Sequence, residues 1–183
     1  MHWQAEGKPH SQGLVVRLEP ETAGLFPDYD LPLQYTTMQR LQNTPVKVPV
    51  VLAMELDTQV LGRPFYLMEQ LHGRYMADNP PYQMEGWLTE QSPADCEAIW
   101  NNAIKQMAAV NRVDWQALGF ADLWDQTKFQ SPLAQLLDYY QKFLSWAESQ
   151  GRPFEKMYPV LEYLKQNQPK DETIALCWGD AKP

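Results

Sequence analysis

The sequence predicts an α+β fold with a β-rich first part and a helix-rich second part. Three observations carry this. Short runs of β-branched and aromatic residues, bounded by Gly, Pro and polar residues, concentrate before residue 70. From Ser92 onward, apolar residues recur three and four positions apart, the period of an amphipathic helix. Between the two, residues 70–91 carry prolines, glycines and polar residues and read as a connector. The expected division is a small β-rich part at 1–71 and a helical part at 72–183. With 183 residues, 44% hydrophobic and 21% charged, the chain can bury a core, which excludes wholesale disorder.

Residues 2–6 and 14–18 read as two short strands, with Gly7 through Gly13 as the turn between them. In the second, Leu14, Val15, Val16 and Leu18 surround a single charge, Arg17, which is either an edge residue or a functional cation. Glu19 to Asp30 holds Pro20, Pro27 and Gly24 and reads as a loop. Leu31, Tyr35, Met38 and Leu41 define a helix ending near Asn43, before Pro45. Val48 to Leu56 and Pro64 to Glu69 are strands, joined by Asp57 to Arg63 as a hairpin loop.

Ser92-Pro93 is a helix start, with Ser as N-cap and Pro at the first helical position. Cys96, Ile99, Trp100, Ala103, Met107 and Val110 then share one face. Ser131-Pro132 repeats the signal ahead of a stripe from Leu133 to Leu144, and Gly151 is a plausible stop. A shorter helix is expected at about 155–167, with Pro159 in its first turn. The run Thr173 to Cys177 reads as a buried strand leading into Gly179-Asp180-Ala181-Lys182-Pro183.

The formal net charge is -8 and no Lys/Arg cluster occurs, which argues against a nucleic-acid partner. No apolar stretch approaches the ~20 residues that span a bilayer. The first residues lack the basic and apolar regions of a secretory signal, so a cytoplasmic protein is the default expectation. Cys96 and Cys177 lie far apart in apolar settings and read as buried reduced thiols. His2, His10 and His72 are scattered, without metal-ligand spacing.

Five stretches, in order, resemble the aminoglycoside/choline phosphotransferase family of the protein-kinase-like superfamily, in the branch related to acyl-CoA dehydrogenase fusions. They are Leu14 to Pro20, Val48 to Ala53, Leu61 to Glu69 with Gly73, Met107 to Asp114 with Leu118-Gly119, and Trp178-Gly179-Asp180. The resemblance implies a two-lobed kinase-like α+β fold, present here as a small β-rich lobe and part of the helical lobe. It implies ATP and Mg²⁺ as cofactors and a small-molecule hydroxyl acceptor.

Residue by residue, the resemblance makes Asp180 the carboxylate that takes the acceptor's proton and Lys182 a γ-phosphate contact. Arg17 would hold the α/β-phosphates, as an Arg fork suits phosphate oxygens. Gln34 stands where the family has a Glu that pairs with the strand cation, and it can only hydrogen-bond to Arg17. Met68, Glu69 and Leu71 fall on the hinge that receives adenine through backbone groups. Asn111 and Trp178 replace family histidines that orient loops. Asp114, Trp115 and the aromatics of 139–146 are candidates for an acceptor cleft, although an aromatic stripe at helical spacing is more often core.

Neither the Gly-rich phosphate loop nor the metal-binding Asn and Asp of the family has a counterpart here. The 183 residues are therefore expected to be a fragment that does not transfer phosphate alone. Two alternatives remain open: a pseudokinase that binds a nucleotide or a partner, favoured by Gln34, Asn111 and Trp178, and an unrelated α+β interaction domain.

Overall fold

A computed structural model describes residues 2–5, 8–21, 24, 26–171 and 173–181, with side chains from residue 12 onward. Lys182 lies outside the described residues. The chain divides into two compact units. One comprises Met1–Glu19, Leu31–Val113 and Leu176–Pro183, and the other Pro20–Asp30 and Asp114–Ala175.

The first unit is built on a three-stranded antiparallel sheet in the order β3-β5-β4, from β3 (Leu14–Leu18), β4 (Val51–Glu55) and β5 (Phe65–Glu69). Strand β5 is central and carries Phe65 and Tyr66, both buried. Helix α1 (Leu31–Leu41) packs on this sheet: Leu31, Val51 and Tyr66 form a buried cluster, with Tyr35, Met38, Met54 and Met68 against it. Leu31 is 2% exposed, so its side chain alone contributes about 1.5–3 kcal/mol of burial. The pattern Leu31, Tyr35, Met38 thus becomes the face that the sheet receives. Helix α1 ends at Leu41, and Thr44 closes it by donating from Oγ1 to the Leu41 carbonyl at 2.7 Å.

Three sequence expectations change here. Residues 8–11, expected within a turn, form a strand of their own: β1 (His2–Ala5) pairs antiparallel with β2 (Lys8–Ser11). Pro9 is tolerated because this two-stranded ribbon is all edge. The β4–β5 connection is more than a loop. Asp57 accepts the Gln59 N–H at 2.8 Å and caps the short helix α2 (Thr58–Leu61), which Gly62 ends at φ 80°.

The third change is at the other end. Residues 173–178 form no strand, and Cys177 and Trp178 are exposed. A strand exists only when a neighbour takes up its N–H and C=O groups, and the described ladders join only β1 with β2 and β5 with β3 and β4. Apolar composition alone did not supply a partner. Neither cysteine forms a disulfide, as expected, but Cys96 is half-buried and Cys177 exposed rather than both buried.

Helix α3 (Pro93–Asn111) starts as anticipated, with Ser92 accepting the Asp95 N–H at 3.2 Å. Its apolar face is covered unevenly: Val110 is buried, whereas Trp100 and Met107 stay about two-fifths exposed (42% and 41%). The 70–91 connector ahead of it is held by its own contacts. The Trp87 indole donates to the Tyr75 carbonyl at 2.9 Å, and the Arg74 guanidinium lies 5.8 Å from the Trp87 ring.

The second unit pairs α4 (Pro132–Ser149) with α5 (Tyr158–Gln166). Ser131 caps α4 by accepting the Ala134 N–H at 3.1 Å, and Gly151, at φ 80°, follows its end. Leu137, Leu144 and Leu161 are the buried seam, with Leu133, Phe154 and Tyr158 against it. The Tyr158 hydroxyl donates to Glu148 at 2.7 Å, which pushes its pKa up. Tyr139, Phe143 and Trp146 stack along α4 with ring centroids 5.6–6.3 Å apart, and Phe26 joins them at Phe143.

Ahead of α4, Asp125 organises a turn. It accepts Lys128 Nζ at 2.6 Å, the Thr127 hydroxyl at 2.5 Å and the Thr127 N–H at 3.1 Å. These contacts, Lys128 foremost, hold its carboxyl at about 2, below the ordinary carboxylate value. A group whose folded pKa is depressed stabilises above its unfolded value, near ~4, and loses that contribution as pH falls through the folded one. Amide exchange across 125–129 is therefore expected to quicken as pH is lowered from ~4 to ~2, after correction for intrinsic rates. An Asp125→Asn variant should lack this pH dependence, and an unchanged profile in both proteins would contradict the assignment.

Candidate functional site

Arg17, Gln34, Met68, Glu69, Leu71 and Asp180 all belong to the first compact unit. Arg17 lies on β3 directly opposite Tyr66 of β5 in the antiparallel register, so the two side chains leave the same face of the sheet. That face is the one covered by α1, because Tyr66 is in contact with the Leu31 cluster and meets Tyr35 edge-on at 6.1 Å. Arg17 itself is exposed at the sheet edge. Gln34 reaches the same place from α1 and accepts a hydrogen bond from the Tyr66 hydroxyl at 3.3 Å. Burial pushes the Tyr66 pKa up, and the Arg17 charge offsets part of that. Gln34 thus bonds Tyr66 rather than Arg17, a partner that nothing local in the sequence singles out.

The hinge residues divide by what their side chains touch. Met68 packs against the Leu31–Val51–Tyr66 cluster and is part of the core. Glu69 is committed to the sheet end: its N–H donates to the Val50 carbonyl at 2.9 Å, and its carboxylate accepts the Val50 N–H at 3.0 Å. The Gln70 N–H donates to the Gly13 carbonyl at 3.1 Å, and a Cβ at Gly13 would lie 2.0 Å from the Gln70 side chain. Leu71 is 63% exposed. The stretch expected to be the hinge therefore begins as a strand laced on both sides and becomes open chain at Leu71.

Asp180 is placed differently from expectation. It is exposed, in a turn with Gly179, and no buried strand carries it. The segment before it is tied to α3 by Asn111, in the last turn of that helix, whose Nδ2 donates to the Leu176 carbonyl at 2.8 Å. Alongside runs a cleft of about 400 Å³, lined by Trp100, Ala103 and Met107 of α3, by Lys47, and by Trp178 and Ala181 on either side of Gly179-Asp180. The Lys47 N–H donates to Gln106 of α3 at 3.0 Å and fixes the segment ahead of β4 to the same helix. In the second unit, Asp114 caps a turn by accepting the Ala117 N–H at 2.9 Å.

Asn111 and Tyr66 are the positions whose part in this arrangement only the structure displays. Asn111 was legible as a substituted family position, but its partner 65 residues away was not. Removing the side chain in Asn111→Ala should free the residues around Leu176. Amide exchange over 174–181 is expected to rise roughly 3- to 10-fold, one hydrogen bond's worth, while 93–108 stays unchanged. Equal rates in both proteins would show that Asn111 does not hold the segment.

Comparison with known proteins follows the same lines. A structure described as a "putative aminoglycoside phosphotransferase" from Ralstonia eutropha JMP134 superposes with a TM-score of 0.59 at 24% identity, over 93% of this chain and 44% of that one. That likeness establishes the shared fold, the kinase-like α+β architecture. Among curated proteins, the chain is 24% identical over 168 residues to "Probable acyl-CoA dehydrogenase IBR3" of Arabidopsis thaliana. It is 26% identical over 167 residues to "Acyl-CoA dehydrogenase family member 10" of Mus musculus. These alignments take in 90% and 91% of this chain but only 19% and 14% of the relatives, so the chain spans under a fifth of their length. The model of the phosphotransferase enzyme family matches residues 7–183, and the chain belongs to that family.

Proposed function

We propose that these residues are the nucleotide-side portion of an ATP-dependent phosphotransferase that moves the γ-phosphate to the hydroxyl of a small molecule. Membership of the phosphotransferase enzyme family supports the reaction class. The observation that carries the site is the gathering of Arg17, Gln34, the 68–71 hinge and Asp180 within one compact unit. Arg17 fits a phosphate: it is exposed, on a rigid strand, and beside a polar pair rather than an acid. The open chain at Leu71 leaves backbone groups for adenine, with Met68 behind them in the core. The described residues contain no cluster of three or more His, Cys, Asp or Glu able to hold a metal ion, so no step is assigned to Mg²⁺ on these residues.

In the proposed step the acceptor hydroxyl gives its proton to the Asp180 carboxylate as its oxygen bonds to the γ-phosphorus. The bond from that phosphorus to the bridging oxygen breaks, and ADP leaves with the electron pair. Lys182, by family resemblance, offsets charge on the γ-phosphate. The relatives named as acyl-CoA dehydrogenases support a hydroxyacyl compound as acceptor. A second reading, a nucleotide-binding relative without turnover, is favoured by the replacement of the usual acid and histidines by Gln34, Asn111 and Trp178.

The test is transfer of label from γ-labelled ATP to hydroxyacyl acceptors. It compares a polypeptide spanning a full-length family domain around these residues with the 183 residues alone. The longer polypeptide should transfer label and lose about 10²–10⁴-fold with Asp180→Asn, the worth of a general base. The 183 residues alone should bind nucleotide without transferring label. ATP-saturable binding with no transfer in either polypeptide would instead select the non-catalytic reading.

A further inference from the structure

At the end of β5 a side chain stands in for its own backbone. Two residues that form a hydrogen-bonded antiparallel pair each give an N–H and each accept one. Glu69 and Val50 complete only half of this exchange. The Glu69 N–H donates to the Val50 carbonyl at 2.9 Å, but the Val50 N–H donates to the Glu69 carboxylate at 3.0 Å. Among the described residues, none is recorded donating to the Glu69 carbonyl. Resting on the reading of 68–71 as the stretch that receives the base, we propose that the Glu69 side chain is a specificity-determining group. By taking up the Val50 N–H, it keeps the Glu69 carbonyl open to accept a hydrogen bond from the exocyclic amine of a 6-aminopurine nucleotide.

The ladder fixes which way these groups face. Along a strand, the backbone groups of successive residues point to alternate neighbours. The Gln70 N–H donates to Gly13 at 3.1 Å, on the β3 side, so the groups of Glu69 face the β4 side. In extended chain the N–H and C=O of one residue share a side. The Glu69 carbonyl therefore lies where the Val50 N–H would ordinarily arrive, and the carboxylate intercepts that donor. A carboxylate competes well for an N–H, because a charge-assisted hydrogen bond is roughly twice as strong as a neutral one.

The carbonyl is left open on a supported piece of chain. Met68, just before it, packs in the core, and Gln70, just after it, is tied to Gly13. Glu69 itself is half-buried, so water can occupy the carbonyl until a ligand displaces it. A carbonyl oxygen accepts and never donates. It bonds an amine at position 6 of a purine and disfavours a carbonyl oxygen at the same place.

A fluorescence titration of the 183-residue chain with the N-methylanthraniloyl derivative of ATP tests this. The displacing ligands are ATP, purine riboside triphosphate, which lacks the amine, and inosine triphosphate, which carries oxygen in its place. The wild-type chain should prefer ATP to purine riboside triphosphate by roughly 3- to 10-fold, one hydrogen bond's worth, and should bind inosine triphosphate more weakly than either. Glu69→Ala removes the intercepting acceptor and lets the Val50 N–H close onto the backbone carbonyl. ATP should then fall to the level of purine riboside triphosphate, whose own affinity stays unchanged. Glu69→Gln keeps an acceptor oxygen in the side chain and should restore the preference. Equal losses for all three ligands in Glu69→Ala would show that the side chain only supports the sheet, and would overturn the proposal. So would wild-type binding indifferent to the amine, a result that needs no variant to fold and leaves the nucleotide site standing. Failure of the wild-type chain to bind any of the triphosphates would remove the reading of 68–71 and this inference with it.

Discussion

The packing of α1 against β5 through Leu31, Val51 and Tyr66 is the contact on which the first unit depends. A three-stranded sheet of five-residue strands is marginal in water until one face is covered. Leu31, the most deeply buried large side chain described, sits at the first position of the helix that covers it. The same contact has a chemical consequence. By burying the Tyr66 ring it sets the hydroxyl against Gln34 of α1, on the sheet face that also bears Arg17. Core packing and the disposition of a candidate ligand are therefore one problem in this unit.

The end of β5 shows the same economy. Glu69 and Gln70 are tied by backbone and side-chain bonds to Val50 and Gly13, so the sheet holds its shape until the chain leaves it at Leu71. The turn bearing Asp180 is carried by no strand among the described residues. It is held by Asn111 and by the side of α3, with Trp100 and Met107 left partly open beside it. Strand elements thus present Arg17, and the hydrogen bond from Asn111 to Leu176 helps steady the approach to Asp180.

Much of this was legible in the sequence, for identifiable reasons. Helix starts at Ser92 and Ser131 were readable because capping is local chemistry, settled within four residues. The α1 face was readable because its period is fixed by the backbone. The failures share a cause: each turned on a pairing partner that composition does not name. The 173–177 run has strand composition but lacks a ladder among the described residues, and Cys177 consequently stays exposed. Residues 8–11 became a strand because β1 lay within reach to pair with them. Tyr66 escaped notice because a tyrosine in an apolar strand has no local mark of a polar role until its register with Arg17 is known.

Family membership sets the reaction class, and the proposed nucleotide contacts all fall on residues of the first unit. The most direct test of that placement is amide hydrogen exchange with and without saturating ATP. Protection is expected over 14–18, 31–41 and 65–71, the strand, helix and hinge that carry Arg17, Gln34 and Leu71, with no change across α4. Protection confined to 132–149, or no protection at any ATP concentration, would contradict the account.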